Sequence, residues 1–189
     1  MDILSILKQE HRAVSAMLDE IEDCEPGDER IEELAATVER ELTAHATLEE
    51  RLFYPELRDR AEESEERVDV FEAYTEHDVV KHLLALLSSG RKRDEEFKAE
   101  LQVLGESVRH HVQEEESTIF ALARELLDGQ ELDEIGEAWE RGKQRLMSRA
   151  SSNGRRGASS RKSGARKTSG GARGTAKAKG RAKKTSRKR

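Results

Sequence analysis

The chain has 189 residues, 39% of them charged and 34% hydrophobic, with a formal net charge of −6, which allows one domain of ordinary size and a remainder. No run approaches the roughly 18 consecutive apolar residues of a membrane span, and the opening MDILSILKQEHR lacks the basic leader of a signal peptide, so neither is expected. A single cysteine, Cys24, cannot form an internal disulfide and fits a cytoplasmic setting.

Apolar residues recur at intervals of three and four through most of the chain, and prolines occur only at 26 and 55. This is a helical pattern with no alternating strand signal. A first helix is predicted over about 2–22, with Leu4, Leu7, His11, Val14, Leu18 and Ile21 on one stripe, and CEPGDE turns the chain. A second runs over about 29–62, with Val38, Leu42, His45, Glu49 and Leu52 on its stripe. The third covers about 65–88 and carries Phe71, Tyr74, His77 and Leu84. The fourth covers about 94–127, with Leu101, Leu104, Val108, His111, Glu115 and Leu122. After DGQE a shorter fifth helix, about 131–147, contains Trp139.

Short connections between long helices make antiparallel neighbours, so the expected fold is all-α, an up-down four-helix bundle over 1–127 with an appended helix over 128–149. Beyond it the composition changes. Fifteen of the 34 Lys and Arg residues fall in 151–189, where there is no acidic residue. The preceding 150 residues are left with 19 basic against 40 acidic side chains, a net of −21. Residues 150–189 contain no large apolar side chain and are expected to be disordered, since they bury too little to offset their ordering entropy. Such a basic tail is suited to binding nucleic acid without base readout; folding back on the acidic body and remaining merely solvated are the competing expectations.

Each of the four long stripes presents one histidine, and two of them add a glutamate one turn later on the same face. A shift of 66 residues superimposes these positions: Glu10-His11 on Glu76-His77, His45 on His111, Glu49-Glu50 on Glu115-Glu116, and Tyr54 on Phe120. The chain reads as two copies of one helical hairpin. Packed about a pseudo-twofold axis, they bring four His and two Glu to one depth in an apolar interior. A single buried histidine is more often a hydrogen-bonded core residue than a ligand, but four on facing stripes with matched glutamates point to a metal site. The expected ligands are His11, His45, Glu49, His77, His111 and Glu115, and imidazole with carboxylate suits iron, manganese or zinc. His82 and His110 lie off the stripes and are expected in solvent. No Ser/His/Asp triad, phosphate-cradling glycine loop or CxxC offers other chemistry.

The pattern His11, His45-x3-Glu49, His77, His111-x3-Glu115, with Glu50, Tyr54 and Pro55 following His45, resembles the hemerythrin-like, or HHE cation-binding, family over residues 1–127. The resemblance implies a non-haem centre of two oxo- or hydroxo-bridged iron ions, with the four histidines as terminal ligands and Glu49 and Glu115 as bridges. Oxygen-carrying hemerythrins have a further histidine where this chain has Lys81, and an Asp where it has Glu115. The four-His, two-Glu set is instead similar to a bacterial subgroup associated with peroxide or iron chemistry. Two His, two bridging carboxylates and one bridging oxygen would leave one open position on each iron for a small oxidant: hydrogen peroxide, dioxygen or nitric oxide. The functions expected are catalase-like peroxide decomposition or, alternatively, a sensor or storage module for dioxygen, nitric oxide or iron, in the cytoplasm, with the nucleoid as a candidate place of action. On a regular helix Tyr54 lies half a turn from His45, so core packing is expected for it, with ligation by Tyr54 or Glu50 left open.

Overall fold

The computed structural model describes residues 1–25, 27–87 and 95–163, with side chains through Ser148. A compact unit spans Met1–Ser151. The helices are α1 (Ile3–Glu22), α2 (Arg30–Leu48), a π turn π1 (Glu49–Phe53), α3 (Tyr54–Arg60), α4 (Ser64–Leu87), α5 (Glu95–Glu114), a second π turn π2 (Glu115–Ile119), α6 (Phe120–Leu126) and α7 (Gly129–Ser163). Among the described residues there is no strand, and no helix is long and apolar enough to cross a membrane.

Four rods form a ring. α1 packs on α2 and α5, α4 packs on α5 and α3, and α2 meets α4 across the remaining side. The start of α1 is set by Asp2, whose carboxylate accepts from the Ser5 amide at 3.0 Å. α1 then buries Leu4, Leu7, His11, Val14, Leu18 and Ile21, the three-four spacing that keeps one face inward. Two apolar clusters fill the bundle. One gathers Leu7, Phe53, Leu57, Val70, Phe120 and Trp139; the other gathers Val14, Leu18, Val38, Leu84, Leu104 and Val108. The buried polar residues, His11, His45, Glu49, His77, His111 and Glu115, belong to neither cluster.

The second and fourth predicted helices each contain a π turn that sequence periodicity does not reveal. In both, the first residue of the turn is the buried glutamate, whose carbonyl accepts from the amide five residues on, at Tyr54 and at Phe120. Pro55 follows the first turn but Ala121 follows the second, so proline is not the common cause. What the two share is a glutamate drawn fully into the interior.

α7 begins at an Asp128–Glu131 capping box: Asp128 accepts from the Glu131 amide, and Glu131 from the Asp128 amide, both at 2.9 Å. It runs to Ser163, past the predicted end at 147, and no proline interrupts it. The part of the predicted tail over 164–189 lies outside the described residues. α7 approaches α1 so closely at Gly136 that an added Cβ would strike the Met1 carbonyl oxygen and sit 3.2 Å from the Ile3 nitrogen. Gly136→Ala is therefore expected to cost roughly 1–3 kcal/mol through backbone displacement. Thermal unfolding checks this, with Gly129→Ala, where the space is open, as a near-neutral control.

Candidate metal centre

The six predicted side chains meet at one depth. Glu49 and Glu115 are 0% and 1% exposed, and the four imidazoles are all buried. His11 and His45 face each other through their Nε2 atoms at 3.2 Å, and His77 and His111 do the same at 3.2 Å. Glu49 lies between the pairs: its Oε1 is 2.9 Å from His45 Nε2 and its Oε2 is 3.1 Å from His77 Nε2. Glu115 points Oε2 at His11 Nε2, at 3.1 Å, and its Oε1 accepts from the Tyr54 hydroxyl at 3.0 Å. Two clusters result: His11, His45, Glu49 and Glu115, and His77, His111 and Glu49.

Both oxygens of Glu49, and Oε2 of Glu115, are buried without an aligned hydrogen bond. Burying carboxylate oxygens so is costly unless a cation meets them. The spacing suits one. Donors about 2.1 Å from a metal, at right angles to one another, lie about 3.0 Å apart, close to the 2.9–3.2 Å found between these atoms. With imidazole and carboxylate donors and no thiolate, the set suits a first-row divalent or trivalent ion.

A second ring of carboxylates aims the imidazoles. The Nδ1–H of His11 donates to Glu116 (3.0 Å), that of His45 to Glu10 (2.9 Å), that of His77 to Glu50 (2.9 Å) and that of His111 to Glu76 (2.8 Å). An ionised carboxylate only accepts, so in the neutral ring the proton sits on Nδ1 and the Nε2 lone pair faces the centre. The repeat governs this ring too, since Glu76 and Glu116 lie 66 residues beyond Glu10 and Glu50. Glu10 and Glu76 serve their own hairpins, whereas Glu50 and Glu116 reach across to the other. Basic side chains stand behind them: Lys143 on Glu10 (2.8 Å), Lys81 on Glu50 (2.6 Å) and Lys8 near Glu116 (3.7 Å), while the His110 ring lies 3.3 Å from Glu76. Lys81, at the position of a fifth histidine in oxygen carriers, is thus committed to Glu50.

Burial disfavours an imidazolium at His45, but Glu49 and Glu10 outweigh it and raise the group to about 10. His77, buried against Glu49 and Glu50, rises to about 9, and His11 is also raised, by Glu115 against its burial. Burial works against charge on Glu49, yet His45 and His77 hold it well below the usual range. Glu10, despite burial, is lowered to about 2 by His45, Lys143 and Trp139. Tyr54 is pushed well above 10 by burial and by Glu115 and Glu49, so its hydroxyl keeps its proton.

Three features escape a periodicity reading. The π turn inserts one residue, which rotates the downstream helix by about 100° and brings Tyr54 inward, where its hydroxyl lies 3.4 Å from His77 Nε2. Core packing alone, as expected for Tyr54, is therefore incomplete. Its repeat mate Phe120 stacks on His11 at 6.2 Å and offers no oxygen. The carboxylate ring was visible only as the paired acids of the repeat, without a role. Trp139 and Lys143 come from the distant α7 and left no local signal. His82 is exposed as expected; His110 is 63% exposed but touches Glu76. A small pocket opens on the histidine side, walled by Val14, Leu42, Val80 and Val108.

The family model for the hemerythrin HHE cation binding domain matches residues 2–123. The chain belongs to this family. Its structure is similar to the crystal structure of a hemerythrin HHE cation binding domain-containing protein from Mycobacterium kansasii, with a TM-score of 0.69 at 21% identity over 79% of this chain and 90% of that one. At that identity the likeness concerns the fold. The chain is also similar to a Nostoc protein named "DNA nickase", 28% identical over 149 residues, 79% of this chain and 41% of that protein. The chain thus spans about two fifths of the length of that relative. As a hemerythrin HHE domain the bundle is a metal-binding fold, and its His and Glu cluster forms the candidate site.

Proposed function

We propose that the chain holds two iron ions and decomposes hydrogen peroxide to water and dioxygen. The observation that carries this reading is that Glu49 reaches both histidine pairs with its two oxygens, the arrangement of a bridge between two ions. His11 and His45 would hold one ion and His77 and His111 the other, with Glu115 as second bridge. Two irons supply a store of two electrons, enough to reduce one peroxide to two waters and to oxidise a second to dioxygen. The chain's own residues do the rest. The outer carboxylates orient the imidazoles, and the valine-walled pocket keeps bulk water away and admits a small molecule. Tyr54 holds a proton beside the His77 half, where Phe120 offers none beside the other. With Lys81, paired to Glu50, in place of a fifth histidine, this reading favours turnover over reversible dioxygen carriage. An oxygen electrode tests this: adding peroxide to the iron-loaded protein should release one dioxygen per two peroxides. A stable adduct reversed by deoxygenation, with no peroxide consumed, would replace this reading with that of a carrier or sensor.

We infer that the basic residues 150–189 bind nucleic acid through phosphate neutralisation, a reading supported by fifteen positive charges without an acidic residue. The name of the Nostoc relative is consistent with work near DNA. Binding should be strong at low salt and fall steeply as salt rises. Truncation after Arg149 should abolish a DNA gel shift while leaving helicity of the bundle and iron content unchanged. Equal affinity with and without 150–189 would assign DNA binding elsewhere or nowhere.

A further inference from the structure

We propose that α7 is a working part of the metal centre: Trp139 and Lys143 are positioning residues that, through Glu10, fix His45 and set the metal affinity of the His11/His45 half apart from that of the other half. This inference rests on the two-metal reading above.

The 66-residue repeat is broken here. Glu10 has one oxygen on His45 Nδ1 at 2.9 Å and the other on two donors from α7: Trp139 Nε1–H at 3.0 Å and Lys143 at 2.8 Å. Trp139 is 0% exposed, and its ring meets the His45 ring edge-on at 5.4 Å and 80°. Lys143 is held in turn by Glu41 at 3.0 Å. The repeat mate of Glu10, Glu76, has, among the described residues, the largely exposed His110 on its outer oxygen, at 3.3 Å, beside its bond to His111. The two outer carboxylates are similarly sheltered, but one is clamped by a buried indole and a lysine, and its counterpart meets an imidazole that is itself largely exposed. The clamping residues lie outside the matched family region, 2–123.

An outer carboxylate holds its imidazole in one tautomer and one ring orientation, and loss of such a contact typically weakens metal binding by about 10–100-fold. With both α7 donors on one oxygen, Glu10 cannot swing away from His45 when that ring exchanges its proton for a metal. Among the described residues Glu76 has one contact on its outer oxygen, to His110, and no second donor beside it. Two sites with the same ligand types are thereby made unequal by their supports.

The test uses the full chain, freed of metal and titrated with cobalt(II) against a competing chelator. The single tryptophan serves as reporter, since an ion in the nearer half quenches its emission. The wild type should bind two cobalt ions in two steps, one of them quenching. Lys143→Met should weaken the quenching step about tenfold or more and leave the other within about twofold. Lys143→Arg should restore it. Trp139→Phe, which keeps most of the ring and loses the N–H, should weaken one step of the chelator competition to a like extent, with unchanged helicity. Equal weakening of both steps, no weakening, or weakening of the non-quenching step overturns the inference. A wild type that binds fewer than two ions overturns the two-metal reading, and this inference with it.

Discussion

Replacing Glu49 with alanine should leave a protein that cannot keep two metal ions. Glu49 is fully buried and is the side chain whose separate oxygens reach both histidine pairs. In the proposed two-iron centre each pair would lose a donor, and the two ions would lose a negative charge held between them. The affinity is expected to fall by two orders of magnitude or more, beyond the roughly 10–100-fold of an outer-shell loss. Glu115→Ala should act likewise. Metal analysis after desalting, together with the oxo-to-iron absorption band, decides it. Retention of two irons and an unchanged band in either variant would show that the bridge assignment is wrong. Glu49→Gln is the informative companion, because it preserves volume while removing the charge, and it should lose metal without the cavity that alanine leaves.

The stability difference between metal-loaded and metal-free protein should widen as pH rises from about 6.5 to about 10. In the metal-free bundle His45 and His77 are raised from 6.5 to about 10 and about 9 by their carboxylate neighbours. A raised imidazolium contributes stability that is fully present below the unfolded value of 6.5 and lost as pH passes through the folded values. Above about 10 the metal-free centre is a set of carboxylates facing neutral rings, with its pairing gone. In the loaded protein the Nε2 positions carry metal rather than protons, so this loss does not occur. Loading must displace the protons that the rings hold near neutrality, and proton release in weak buffer should accompany it. Thermal unfolding at pH 6, 8 and 10, with and without chelator, tests the direction. A difference that stays constant or narrows over that range would mean that the histidines are not protonated in the metal-free state.

Much of the centre was legible because the bundle obeys a simple geometry. Side chains three or four apart share a helix face, so His11, Val14 and Leu18, or His45 and Glu49, can be placed together before any coordinates exist. The repeat then pairs the faces. What periodicity cannot see is a change of phase. The π turns at Glu49 and Glu115 add a residue, so a count that places Tyr54 half a turn from His45 fails just where the helix departs from 3.6 residues per turn. Equally illegible was the reach of α7. Trp139 reads as an ordinary core aromatic, and only the three-dimensional fold brings its N–H to Glu10, 129 residues away in sequence. The carboxylate ring lies between these extremes. Its members stand beside the ligands in sequence, at Glu10, Glu50, Glu76 and Glu116, but whether each serves its own hairpin or the opposite one depends on packing.

The crossed carboxylates have a consequence for how the molecule could be divided. Each candidate metal position draws its histidines from one hairpin, but both hairpins supply carboxylates, and Glu50 and Glu116 carry outer hydrogen bonds across the axis. A single hairpin on its own would hold two imidazoles with one of their two outer supports and half of the bridging charge. Two identical hairpins related by a true dyad would complete the pattern, but they would be obliged to match at every position. Joining both in one polypeptide lifts that obligation. A tyrosine can then stand on one side where a phenylalanine stands on the other, and the two halves of the site can be given different work.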